Sequence, residues 1–273
     1  MKNKTNIFVL LFSIATTSLM AQELLPLSLR QKEELKKQSW VRETPFEPVK
    51  VKDMGNRISA LAVNPANASH FVVAPHQGGV WLTQNGGETY RELCTTLPSQ
   101  TITALAMNWQ SGTLAVATPY GLFVSTDNGK TVDFKGLAGS KHITAIYFSP
   151  SNPQEIVVGV LGNKYKTDEK RGIFKSSDGG KTWQQKLFVG TRTGISDIVA
   201  TPDGSTLLAT AWEINDSPWN SAPYGSNSAI YKSTDKGNTW TKITANNGFL
   251  KGNAIGRRGI SCVDAQTYYA VVD

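Results

Sequence analysis

The sequence predicts an all-β chain that folds as a β-propeller of four-stranded antiparallel blades, with about four and a half blades present. Two observations lead to this prediction. An eight-residue pattern, Ser/Thr-x-Asp/Asn-x-Gly-x-Thr followed by Trp, Tyr or Val, begins at residues 83, 125, 176 and 233, so that its spacings are 42, 51 and 57 residues. Strand-like segments recur in the same order around every copy, and repeats of about this length indicate propellers or solenoids.

The eight-residue pattern, which we call the repeat turn, predicts a tight reversal between two strands. Its most complete copy is Ser176 to Trp183. The short acidic side chain can accept hydrogen bonds from backbone N–H groups that follow it, and the glycine can adopt a positive φ. The aromatic residue then opens the outgoing strand and packs its apolar face. We therefore assign structural roles to Asn85, Asp127, Asp178, Asp235, Trp183 and Trp240.

Each predicted blade contains two apolar strands, a third strand that often carries an aromatic residue, the repeat turn and a more polar fourth strand. The blades span about residues 55–95, 100–138, 141–188 and 194–245, and a partial fifth unit spans 256–273. A propeller closes with complete blades, and an open sheet edge favours aggregation. We therefore expect the natural product to continue past residue 273, the alternative being that a segment near residues 46–52 completes the last blade.

The first 21 residues are typical of a cleaved signal peptide. Lys2 and Lys4 precede an apolar run from Ile7 to Leu19, which is too short for a comfortable membrane span. Residues 22–54 form a polar leader before the propeller. We expect an exported mature chain, secreted, periplasmic or attached to the cell surface, with no transmembrane segment.

Composition argues against several classes of function. The formal net charge of +7 falls to about +5 when the two lysines of the signal peptide are removed, and no stripe of basic residues supports binding to nucleic acid. The histidines at 70, 76 and 142 lack the spacing of metal ligands, so we expect no metal and no cofactor. Cys94 and Cys262 fall in different units and are predicted to be two separate buried thiols.

The repeat turns resemble the Asp-box, or bacterial neuraminidase repeat, over about residues 55–273. Asp-box propellers include sialidases, xyloglucan-cleaving endoglucanases, sortilin-type receptors and photosystem assembly factors. The segment Asn56 to Pro65, followed by Gly78 to Trp81, is most similar to the blade opening of the endoglucanase and sortilin-like groups. In these families the Asp-box lies opposite the ligand, so the resemblance implies no catalytic role for the four turns.

A ligand site is expected on the opposite face, where the connections between the second and third strands lie. Two insertions lengthen this connection, Leu161 to Arg171 in the third unit and Trp212 to Asn227 in the fourth. Exposed aromatic rings suit sugar rings or peptide side chains, and neighbouring polar groups can satisfy hydroxyls and amides. The predicted ligand contacts are Trp212, Trp219, Tyr224, Tyr165 and His76, the last of which has the alternative of an ordinary turn residue.

Glycoside hydrolysis needs two carboxyl groups that face each other across the scissile bond. The resemblance implies that the endoglucanases carry one of them as Asp in a Thr-Asp-x-Gly-Gly step of the first blade, where this chain has His76. Their partner carboxylate lies in a second propeller that this sequence does not contain. The early Arg-Ile-Pro signature of sialidases is reduced here to Arg57-Ile58. The spacing selects no catalytic pair among the remaining carboxyl candidates, which are Glu213, Asp216, Asp168 and Glu169.

The sequence therefore favours an exported, sortilin-like propeller that acts as a scaffold and binds a carbohydrate or protein ligand on its loop side. The alternative is a glycoside hydrolase acting on a β-glucan-type polysaccharide, with catalytic carboxylates that lie partly outside this chain. A third interpretation is a structural protein of the cell envelope or a secretion-system cargo with no small ligand.

Overall fold

The structure is a computed structural model that describes residues 57–139, 142–214, 225–243, 258–262 and 267–272. These ranges contain strands and turns but no α-helix, and hence no helical segment able to cross a bilayer. The predicted signal peptide and the leader at 22–54 lie outside the described residues.

Four blades of four antiparallel strands follow one another along the chain. The first contains β1 (Ile58–Asn64), β2 (Asn67–Pro75), β3 (Val80–Thr83) and β4 (Arg91–Leu93). The second contains β5 (Ala104–Asn108), β6 (Thr113–Thr118), β7 (Gly121–Ser125) and β8 (Asp133–Phe134). The third contains β9 (Ile143–Phe148), β10 (Ile156–Val160), β11 (Gly172–Ser176) and β12 (Gln184–Leu187). The fourth contains β13 (Thr193–Ala200), β14 (Leu207–Glu213), β15 (Ala229–Ser233) and β16 (Thr241–Ile243).

A two-stranded antiparallel sheet follows the fourth blade and consists of β17 (Arg258–Cys262) and β18 (Tyr268–Val272). In every four-stranded sheet the strands pair in chain order, so each blade is a simple meander. The prediction of an all-β propeller built from four-stranded antiparallel blades is therefore confirmed.

The first strand of each blade contacts the first strand of the next, from β1 through β5, β9 and β13 to β17. The hydrophobic core lies between the blades, because each large cluster takes side chains from two successive sheets. Strand β6 is buried along its whole length, which explains its nearly continuous apolar sequence. Leu114, Ile143 and Ile195 are fully buried, and each such side chain stabilises the fold by about 1.5–3 kcal/mol.

Polar contacts also join neighbouring blades. The hydroxyl of Thr144 on β9 donates to the carbonyl of Ile195 on β13 over 2.6 Å. The indole Nε1 of Trp183 donates to the carbonyl of Lys135 in the preceding blade over 2.7 Å. Lys175 is buried, and its ammonium donates to the carbonyl of Lys236 in the next blade over 2.9 Å. Each of these hydrogen bonds joins two neighbouring sheets.

The repeat turn of the third blade is held together by its own side chains. Ser176 Oγ donates to Asp178 Oδ1 and accepts from the backbone N–H of Gly180, both over 2.8 Å. The backbone N–H of Thr182 donates to Asp178 Oδ1 over 2.9 Å, and its hydroxyl donates to Oδ2 over 2.6 Å. Hydrogen bonds from the side chain and backbone of Thr182 and from Ser176 lower the pKa of Asp178 from 3.8 to about 2.

The other repeat turns use the same arrangement with Asp127 and Asp235, whose pKa values are also held below the ordinary range. In the first blade Asn85 occupies this position, and its Nδ2 donates to the hydroxyl of Thr89 over 2.9 Å. The direction of that hydrogen bond is reversed, because an amide nitrogen donates where a carboxylate accepts. The turn therefore forms with either side chain.

Both cysteines are free thiols, as predicted. Cys94 is buried, and burial raises the pKa of its thiol to about 12, with the charge of Asp127 adding to the effect. Cys262 is half-buried, which differs from the prediction of two buried thiols. It lies on β17, in the two-stranded sheet that packs against the fourth blade.

Candidate functional site

The candidate site lies at the end of the blades that carries the connections between second and third strands, which we call the loop face. Strands alternate in direction within a blade, so these connections lie opposite the repeat turns. The connections of the third and fourth blades touch, because Leu161, Trp212 and Ile214 form a small buried cluster. The two insertions predicted from the sequence therefore meet at one place.

The 161–171 loop is fixed by the buried side chain of Arg171. Its guanidinium donates to the carbonyls of Leu161 and Asn163, and to that of Lys166 over 3.0 Å. Burial lowers the pKa of Arg171, and nearby Arg192 lowers it further, whereas the charge of Asp168 opposes both effects. A cation bonded to three carbonyls of one loop gives that loop a single conformation. In the sequence Arg171 is only the last residue of the insertion, and no local signal marks its role.

Tyr165 projects from this loop with 60% of its surface exposed. Its backbone N–H donates to Asn163 Oδ1 over 3.0 Å, so the residue is held from the backbone while the ring stays free. Tyr120 is also 60% exposed and lies between β6 and β7, in the corresponding connection of the second blade. Tyr120 is not predicted from the sequence as a ligand contact, because its connection carries no insertion. The segment Pro119-Tyr120-Gly121 was the available signal.

Trp212 was predicted to offer an exposed face to a ligand, and this expectation is corrected by the structure. The residue is only 8% exposed and packs with Leu161 and Ile214. The Nζ of Lys164 lies 5.9 Å from the centre of a Trp212 ring. Trp212 is buried against Leu161 of one insertion and Ile214 of the other, and it therefore supports the loop face from beneath.

Of the three described carboxyl candidates, Glu169 is exposed, whereas Asp168 and Glu213 are engaged by backbone groups. Asp168 Oδ1 accepts from the N–H of Lys170 over 2.8 Å, and Glu213 Oε2 accepts from the N–H of Asn227 over 2.8 Å. Asp168 and Glu213 are half-buried. These bonds shape the two connections, and they are the contacts expected of turn-forming carboxylates.

His76 lies in the exposed turn between β2 and β3. Its backbone N–H donates to the carbonyl of Arg57 over 2.9 Å, and Gln77 beside it has a φ of 58°. The turn is closed by the indole of Trp81, which donates to the carbonyl of Gly78 over 2.6 Å. His76 therefore lies on the loop face, and its contact with a ligand stays a prediction. The remaining candidates Asp216, Trp219 and Tyr224 lie outside the described residues.

Basic residues neighbour Tyr165 in its loop. Lys164 and Lys166 flank it in the chain, Lys170 lies at the end of the same loop, and all three are exposed. Within the described ranges the one ion pair joins Lys135 to Asp133, away from this loop. Those ranges also hold no group of His, Cys, Asp and Glu that could bind a metal.

No known family profile and no curated protein matches the chain. Among solved structures, a GH74 enzyme from Niastella koreensis is 26% identical with a TM-score of 0.59. The match covers 79% of this chain and 33% of the enzyme. The GH74 xyloglucanase from Xanthomonas campestris is 20% identical with a TM-score of 0.55, covering 74% and 33%. An auxiliary nutrient binding protein from Bacteroides thetaiotaomicron is 10% identical with a TM-score of 0.51, covering 79% and 52%.

These similarities show the fold. The chain is a β-propeller whose structural neighbours include xyloglucan-cleaving and nutrient-binding proteins. It spans about a third of the length of the GH74 enzymes.

Proposed function

We propose that this chain is an exported β-propeller that binds a carbohydrate on its loop face. The observation that carries the proposal is the exposed ring of Tyr165 on a loop fixed by Arg171. A flat ring carried by a fixed loop suits the apolar face of a sugar, and a fixed loop reduces the entropy lost on binding. The similarity to a GH74 enzyme at 26% identity supports a sugar over a protein as the ligand.

The proposal assigns the four repeat turns to the Asp-box class and the chain to a sortilin-like scaffold. The repeat turns lie opposite the loop face, and their carboxylates are occupied by hydrogen bonds within the turn. Export follows from the signal-like residues 1–21.

The proposal is tested with Tyr165→Ala on columns of immobilised polysaccharides, with xyloglucan among them. We expect the substitution to weaken retention by about fivefold, because one ring contact contributes about 1 kcal/mol. Tyr269→Ala is the matched control, since Tyr269 is 64% exposed but lies on β18. Equal retention of the parent chain and Tyr165→Ala on every polysaccharide that binds would remove Tyr165 from the site.

The second candidate function is a glycoside hydrolase, which the similarity to GH74 enzymes favours. In that case the protein, with the carboxylates that lie outside this chain, would release reducing ends from a β-glucan. Glu213→Gln would abolish the release. We expect binding without turnover, because His76 stands where the endoglucanase resemblance implies a carboxylate and a histidine cannot supply that negative charge.

A further inference from the structure

We propose that the sugar bound on the loop face is anionic, a polysaccharide carrying uronic acid carboxylates or sulfate esters. This inference rests on the proposed carbohydrate-binding function and names the class of its ligand. It places the sugar ring against Tyr165 and the negative group of the sugar against the lysines beside it.

The first observation is that exposed lysines lie next to Tyr165 in the same loop. Tyr165 stands directly between Lys164 and Lys166, and Lys170 closes the same loop. All three lysines are exposed, and among the residues that the structure describes none of them forms an ion pair. Ammonium groups beside an aromatic ring supply the two contacts that a charged sugar needs, an apolar face and a counter-charge.

The second observation is that the backbone carrying Lys164 and Lys166 is held in place. Arg171 bonds to the carbonyls on either side of the Lys164-Tyr165 pair, those of Asn163 and Lys166. The ammonium of Lys164 lies over the ring of Trp212, so its side chain follows a defined path across the buried tryptophan. A neutral sugar could accept hydrogen bonds from these ammonium groups but would gain nothing from their charge, whereas an anion gains both.

The third observation is the positive character of the protein behind the loop. Arg171 is fully buried, and its Nε has no hydrogen-bond partner among the described residues. Arg192 lies close enough to lower the pKa of Arg171. Two guanidinium groups with no ion pair in the described ranges add to the potential of the lysines in front of them.

The carboxylates of this region do not cancel that charge in the described part of the chain. The loop and its neighbours hold five basic side chains, Lys164, Lys166, Lys170, Arg171 and Arg192, against three acidic ones, Asp168, Glu169 and Glu213. The charge at the opposite end is balanced. Three repeat turns each carry one Asp and one lysine, and these lysines are Lys130, Lys181 and Lys236. An anionic ligand is therefore favoured at the loop face and not at the repeat turns.

The test measures binding of the full chain to three soluble polysaccharides by affinity electrophoresis at low and high salt. Polygalacturonate carries carboxylates, dextran sulfate carries sulfates, and xyloglucan is neutral. The variant is Lys164→Gln/Lys166→Gln/Lys170→Gln. The matched control is Lys130→Gln/Lys181→Gln/Lys236→Gln, which removes the same charge from exposed positions in the repeat turns.

We expect one anionic polysaccharide to bind more tightly than xyloglucan, and the loop variant to lose at least about tenfold in affinity at low salt. The control variant should lose less than about twofold, and the difference should shrink at high salt because exposed charges are screened. The preferred polysaccharide then identifies the anionic group as carboxylate or sulfate.

Two results would overturn the inference while leaving the proposed function intact. In the first, xyloglucan binds more tightly than both anionic polysaccharides, and the loop variant keeps this preference. The other is an equal loss in the loop and control variants, which would show attraction by net charge alone. Failure of all three polysaccharides to bind would reject the proposed function together with the inference. Thermal unfolding of both variants near that of the parent chain checks the fold.

Discussion

Asp178 illustrates at the scale of one residue how the repeat turn is stabilised. Its folded pKa of about 2 lies below the ordinary value of 3.8, because the charged form accepts hydrogen bonds from Thr182 and Ser176. A lowered carboxyl pKa stabilises the fold above the unfolded pKa and loses that contribution as pH falls through the folded one. The stability carried by Asp178 is therefore lost between about pH 4 and about pH 2.

We predict that Asp178→Asn makes the unfolding free energy less dependent on pH in this window. Asn85 in the first blade shows that the turn forms with an amide in this position. The reciprocal change Asn85→Asp should add acid sensitivity, because a new carboxylate would accept the same bonds. Urea denaturation followed over pH measures both variants, and parallel curves for the two variants and the parent chain would contradict the prediction.

The 161–171 loop shows at the scale of an element how one side chain sets a whole connection. Arg171→Met would leave the carbonyls of Leu161, Asn163 and Lys166 without their donor, at a cost of about 2 kcal/mol or more. We predict that native-state trypsin cleavage at the loop lysines becomes about thirtyfold faster. Lys186→Met on β12 is the control, and unchanged cleavage of Arg171→Met would show that the loop holds its shape without the guanidinium.

Sequence patterns predicted the elements well wherever the determining contacts are local. The repeat turn is closed by side chains within eight residues, so Ser176 to Trp183 could be interpreted without knowledge of the fold. The burial of Trp212 could not be predicted this way, because it depends on Leu161 from another blade. Arg171 was missed for a similar reason, since its partners are backbone carbonyls that the sequence does not distinguish.

Neighbouring blades are joined at the scale of the whole molecule by contacts between equivalent positions of the repeat. Thr103 and Thr144 occupy the same position in the second and third blades, each after an isoleucine and before an alanine. The hydroxyl of Thr144 donates to the carbonyl of Ile195 in the next blade, whereas that of Thr103 is buried and has no partner among the described residues.

We predict that Thr144→Val lowers the unfolding free energy by about 1–2 kcal/mol, because it leaves the carbonyl of Ile195 without this donor. The same change at Thr103 removes a hydroxyl that has no such bond and should be neutral or stabilising. Thermal unfolding of the two isosteric variants measures the difference, and equal destabilisation would show that the bond between blades contributes nothing.

Each later repeat turn rests on the blade before it. The backbone N–H of Cys94 donates to the carbonyl of Gly129, Trp183 bonds to Lys135, and Gly237 lies beside Val157. The ribosome releases the N-terminal blade first, so each blade can fold before the repeat turn that packs against it is synthesised. Synthesis from the N-terminus and assembly of the propeller then proceed in the same direction, so that each new sheet can dock as soon as it is made.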